Sequence, residues 1–156
     1  IDMAVEHSTL TGSDLHEPKG AAAANSGQIY IANGSGGGAW TAHNNKVVLT
    51  TRIDNISSAS SAWVVTPVAG TIAKVYSVIS GVITGGDATL TSKIATVSVT
   101  NGAITVANSG SAVGTVDSAT PSGANTVTLG QAIEIATDGG STNAVSAVIT
   151  FEITPS

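Results

Sequence analysis

Cysteine is absent from the chain, so no disulfide framework braces the fold and the redox compartment is left open. Charge is scarce as well: 10% of the residues are charged, against about 25% in ordinary soluble domains. Five Lys and Arg, scattered along a chain of formal net charge −5, argue against nucleic acid or an anionic membrane as partner, because both are gripped chiefly by basic side chains. Long apolar runs are missing too. The uncharged stretch from Ile94 to Val116 is interrupted by Thr, Ser, Asn and Gly and cannot supply the roughly 20 apolar residues of a spanning helix. No basic, apolar, small-residue pattern follows Ile1, so the sequence is read without a secretory peptide. Aromatic residues make up only 3%.

What is present is Ala, Val and Ile on the apolar side and Thr, Ser, Asn and Gly on the polar side, with hydrophobic residues at 42%. β-Branched side chains pack well on a pleated surface, and Gly and Asn make its corners. A length of 156 residues suits one domain with an appended arm.

The clearest sheet signal is Ala132 to Thr154, expected as a hairpin. Val145, Ala147, Ile149, Phe151 and Ile153 alternate with Ser146, Thr150 and Glu152; Ile133 and Ile135 alternate with Ala132, Glu134 and Ala136; and Asp138, Gly139 and Gly140 supply turn residues between them. The same grammar begins near Val47. Strands are expected at 46–53, 62–68, 71–80, 88–94, 112–117 and 126–129, with Pro67 marking an edge or a strand end. A parity change after Ile94 predicts a bend or bulge near Ala95 and Thr96, and Asn101-Gly102 predicts a hairpin. Phe151 and Trp63 fall in the strand pattern as core. Eight or nine short strands without a helical stretch predict an all-β fold, an antiparallel jelly-roll-like β-sandwich over residues 46–156.

Residues 1–45 differ. They hold His7, His16 and His43 and little periodic apolar content, apart from Gln28 to Ala32 and Ala39 to Thr41, which could pair as a short hairpin across the glycine run Gly34 to Gly38. This part reads as an extended N-terminal arm that needs a partner surface to become ordered. Tyr30 and Trp40 lie where no core is expected, so they read as interface anchors that pack on a partner, the alternative being packing on each other or on the sandwich.

Chemistry finds little support. The glycine run lacks the Lys-Ser/Thr pair and the helix of a phosphate loop, and reads as a turn. His7 and His16, with Glu6, Asp14 and Glu17 nearby, match no compact metal-ligand spacing, so no cofactor or metal is expected. Glu134 and Glu152 could be cross-strand neighbours, as glycoside hydrolysis needs carboxylates about 5–9.5 Å apart, but they read as solvated and lack an aromatic sugar platform. The segment Asp138 to Asn143 lacks the acidic alternation of a calcium loop. No histidine lies in the sheet region to activate a serine, and the reading is not an enzyme. Outer strand faces of Thr, Ser, Ala and Val, Val148 among them, suit packing against copies of the chain and predict a closed, cyclic homo-oligomer.

A resemblance then enters. His16, Glu17, Pro18, Lys19, Gly20 and Ala21, followed by GQIYIANGSGGGAW at 27–40, resemble the opening of tailed-bacteriophage structural proteins. The segment from Gly70 to Ile94 and that from Thr100 to Ile153 resemble phage head decoration and head-fibre proteins; together the similarity covers about residues 15–153. At 93–96 this chain carries Lys-Ile-Ala-Thr where that family carries a Lys-Ile-Asn-Gly turn. The resemblance implies a homotrimeric jelly-roll head on the outer capsid surface of the virion. It also implies a cementing arm, residues 1–45, that engages the major capsid protein, with His16, Glu17, Pro18, Lys19, Tyr30 and Trp40 as the binding residues. The alternative is a tail-fibre or head-fibre receptor-binding protein that reads host glycans through its distal loops. GGD at 85–87, SATPSGAN at 118–125 and DGGST at 138–142 contain no aromatic residue, which favours decoration.

Overall fold

The computed structural model describes residues 24–25, 27–35, 38–42 and 45–156. The chain divides into two compact units, Ile1–His43 and Asn44–Ser156. Among the described residues every regular element is a β-strand.

In the first unit β1 (Gln28–Ala32) and β2 (Gly38–Ala42) form an antiparallel pair in which Tyr30 stands opposite Trp40 and Ala32 opposite Gly38. Asn33 opens the connection by accepting the Ser35 N–H on Oδ1 at 2.9 Å, the Asx turn expected of asparagine.

The second unit is an antiparallel β-sandwich, as the sequence predicts. Its strands are β3 (Val47–Ile53), β4 (Ser60–Val65), β5 (Gly70–Ile79), β6 (Ala88–Ile94), β7 (Val97–Val106), β8 (Val116–Ala119), β9 (Thr126–Val127), β10 (Ala132–Thr137) and β11 (Ala147–Pro155). One sheet runs β3-β11-β5-β8, with β9 beside the start of β5; the other runs β4-β10-β6-β7. The inward residues are those the two-residue period selects. Ile149, Phe151 and Ile153 of β11 and Val75 and Ile79 of β5 face Leu90 of β6, Ile104 and Val106 of β7, and Ile133 and Ile135 of β10, all of them buried. Each such side chain is worth about 1.5–3 kcal/mol when fully buried. The sheets also meet at their sides. On one, the Thr51 hydroxyl donates to the Trp63 carbonyl at 3.4 Å; on the other, Thr100 bridges to Gly123.

Several sequence expectations change. The stretch Ala132 to Thr154 is not a hairpin, because β10 pairs with β4 and β6 while β11 pairs with β3 and β5. Two strands with strongly apolar faces bury them against each other from opposite sheets, and residues 138–146 cross between them. That crossing hydrogen-bonds to neighbouring loops: the Ile56 N–H donates to the Val145 carbonyl at 2.8 Å, and the Thr142 N–H to the Thr84 carbonyl at 2.8 Å. Ser146, expected on the outer side, is buried with its hydroxyl 2.9 Å from that of Ser80.

The Asn101-Gly102 hairpin is also displaced. Ile94 pairs with Val97, so Ala95 and Thr96, where a bend or bulge is expected, form a full two-residue turn, both at positive φ (47° and 71°). Asn101, at φ 56°, sits instead in a bulge inside β7, which swings out to donate from Nδ2 to the Ser122 hydroxyl at 2.8 Å. β8 begins later than expected, since residues 112–115 form a turn closed by the Thr115 N–H on the Ala112 carbonyl at 3.1 Å. β9 stops at Val127 because Thr128 turns to donate its N–H to Gln131 Oε1 at 2.8 Å.

Candidate functional site

In the hairpin the rings of Tyr30 and Trp40 meet edge to face, with centroids 5.4 Å apart and planes at 63°. This is a favoured geometry, because the positive edge of one ring meets the negative face of the other. Gly38 makes room for it. A β-carbon there would overlap the Tyr30 ring and the Ile31 carbonyl, so this member of the glycine run is a packing requirement as well as part of a turn. Both rings are half-buried, while Ile29 and Ile31 on the opposite face are exposed. His16, Glu17, Pro18 and Lys19 lie outside the described residues, as do His7 and His43.

Glu134 and Glu152, weighed above as cross-strand neighbours, are apart in the fold. Glu152 lies on the outer face of the β3-β11-β5 sheet and pairs with Lys46. Glu134 lies on the outer face of the other sheet, where Oε1 accepts the Ser61 hydroxyl at 2.6 Å and faces Lys93 Nζ at 3.5 Å. They belong to different sheets and cannot flank one bond.

The loops at one end of the sandwich use their acids as backbone caps. Asp138 Oδ1 accepts the N–H groups of Thr89 and Gly140, each at 2.9 Å, and Asp87 Oδ1 accepts the Asn108 N–H at 2.7 Å. Burial pushes the Asp138 carboxyl up, but the hydrogen bonds from Thr89 and Gly140 outweigh it and hold the group below its usual value. Asn143 bridges the Thr84 N–H and the Val82 carbonyl at 2.8 and 2.6 Å. Among the described residues no three His, Cys, Asp or Glu side chains gather as a metal site would require.

The outer faces carry the remaining candidates. On the β3-β11-β5-β8 sheet, Arg52, Val148, Val78 and Val116 align in register, and Thr50, Thr150 and Tyr76 form the next row, with Lys74 Nζ 5.1 Å from the Tyr76 ring centre. On the other sheet stands Trp63, which the sequence reading places in the core. It is 61% exposed, because its neighbours Ala62 and Val64 take the inward positions of β4. Trp63 pairs with Glu134, so the aromatic neighbour that Glu134 lacks in the linear sequence is supplied by the fold. No periodicity of β4 alone would reveal this, since the apolar run AWVV presents a hydrophobic residue to both faces.

Compared with family models, curated proteins and solved structures, the chain gives no match.

Proposed function

We propose that this chain is a capsid decoration protein of a tailed bacteriophage, not an enzyme. In this reading it binds the outer surface of the head and cements neighbouring major capsid proteins. The observation that carries the reading is the N-terminal unit, a small hairpin that presents Tyr30, Trp40, Ile29 and Ile31, while the other unit is a sandwich with a full core of its own. Aromatic residues displayed on a small element are typical anchors for a protein partner.

The sandwich supports a jelly-roll reading. Its strands alternate between sheets in the order β3-β11-β5-β8 over β4-β10-β6-β7, the pattern of two Greek keys folded together. The outer row Val148-Val78-Val116, which ends on Arg52 of β3, offers an apolar strip suited to self-association, which we take as a homotrimer. Three linked arms would make each later contact with the capsid intramolecular, so modest single affinities add up to strong avidity. On this reading the protein sits on the virion exterior, with the major capsid protein and its own copies as partners and no nucleic acid, membrane or cofactor.

Removal of residues 1–45 tests the proposal. The truncated chain is expected to lose binding to capsids stripped of the protein while keeping its oligomeric mass in solution. Capsid binding as tight as that of the full chain would overturn the assignment of the arm. The receptor-binding alternative, with distal loops reading host glycans, is less favoured because Asp87, Asp138 and Asn143 are occupied as caps within those loops.

A further inference from the structure

Trp63 is the one exposed aromatic of the sandwich, and its surroundings suggest a use. Trp63, Glu134 and Lys93 stand side by side on three neighbouring strands in one register row, all on the outer face. Beside this row lies an open groove of about 320 Å³ lined by Trp63, Ala95, Thr96, Gln131, Ala132 and Glu134. Its volume is at the lower end of small-ligand sites, about 300–1,000 Å³. The polar groups are fixed before any ligand arrives. Glu134 is anchored at Oε1 by Ser61 and Lys93, which leaves Oε2 as the acceptor for a ligand. Gln131 is held at Oε1 by the Thr128 N–H and hydroxyl, at 2.8 and 3.3 Å, so its amide N–H groups are left to donate.

We propose that this groove binds a neutral pyranose oligosaccharide of the type whose ring hydroxyls are all equatorial. Such a ring has a flat face of axial C–H bonds, weakly positive, that stacks on the negative face of an indole. Its rim of vicinal hydroxyls suits a carboxylate acceptor and an amide donor held at the groove's side. Small side chains at Ala95 and Ala132 leave room for the ring. An acidic sugar would meet Glu134 with Lys93 already engaged, which selects for neutral ligands.

A protein partner fits less well. A stable protein interface takes about 800 Å² from each side, with Glu and Lys depleted from its centre. Here the apolar surface beside Trp63 is Val65 and alanines, and the adjoining row is the Glu134–Lys93 pair. The site is independent of the capsid-binding proposal, since none of its residues belongs to the arm, and the two succeed or fail separately.

The test is titration of the full-length protein with cellohexaose and with chitohexaose, observed by NMR of the tryptophan indole N–H signals. A saturable shift of the Trp63 signal is expected for at least one probe, with a dissociation constant of about 1 mM or tighter, the range of a single stacked ring. Trp63→Ala should weaken binding at least tenfold, Trp63→Phe should retain part of it, and Glu134→Gln should weaken it several-fold. Trp63 is at the surface, so thermal melting of Trp63→Ala verifies that the fold is intact. Three results would overturn the proposal: no shift with either sugar, binding unchanged in Trp63→Ala, or a Trp63 signal that broadens with protein concentration while Trp63→Ala lowers the oligomeric mass. The last would assign the face to self-association.

Discussion

In the sandwich, an inward residue such as Ile149 or Phe151 meets a second sheet and loses all contact with water. In the β1–β2 hairpin the same two-residue alternation sets the Tyr30 and Trp40 rings against each other on one face, half-buried, while Ile29 and Ile31 on the other are exposed. A strand pattern therefore specifies which side chains share a face. What that face does depends on whether another element covers it. A covered face becomes core, and an uncovered one is available to a partner, which is why binding is assigned to the small unit and to the single exposed tryptophan of the large one. A lone two-stranded hairpin is marginal in water, whereas the sandwich carries a core of its own.

The sharpest contrast should come from Phe151→Ala. Truncating a fully buried aromatic should destabilise the sandwich by about 3–5 kcal/mol in urea denaturation and leave the Trp40 indole signal unchanged. Gly38→Ala should do the reverse. The overlap with Tyr30 costs about 1–3 kcal/mol, enough to separate the rings and move the Trp40 signal, with sandwich melting unaffected. A common melting transition that responds to both substitutions would erase the distinction between the units.

A smaller change sharpens the account of the sandwich. Ala95 and Thr96 occupy a left-handed turn that neither residue favours, so Ala95→Asn with Thr96→Gly should raise stability by about 1 kcal/mol in the same denaturation assay. The smallest effect expected is from Asp138. Its carboxyl is held below the usual value in the folded chain, so it stabilises the fold above the unfolded carboxylate value near 3.9, and that contribution is lost as pH falls through the lower folded value. Asp138→Asn should therefore flatten the acid limb of stability against pH slightly, measured by thermal melting between about pH 5 and pH 2.

These turns also show how far the fold could be read in advance. The inward sets of β6 and β11 and the existence of β3, β5, β6 and β10 follow from alternation alone. Partnership did not follow. β10 and β11 look like a hairpin because they are adjacent and separated by Asp138-Gly139-Gly140, yet nothing local states that two apolar faces will be stacked instead of paired. Asn101-Gly102 is a strong turn signal that serves a bulge, while Ala95-Thr96, with no such signal, makes the turn because the Ile94–Val97 pairing requires one there. The site is harder still. Trp63 and Glu134 are 71 residues apart in sequence and neighbours only through strand register. The Tyr30–Trp40 pair was more accessible, since a glycine run between two short apolar segments brings them opposite each other.

The central claim, that the hairpin unit holds the capsid partner, is tested most directly by co-sedimentation with capsids stripped of the protein. Full-length chain and its Trp40→Ala variant would be compared at equal concentration. The account predicts that the full-length chain pellets with the capsids, and that Trp40→Ala stays in the supernatant with its sandwich melting unchanged. Equal pelleting of the two proteins, or failure of the full-length chain to pellet, would contradict it.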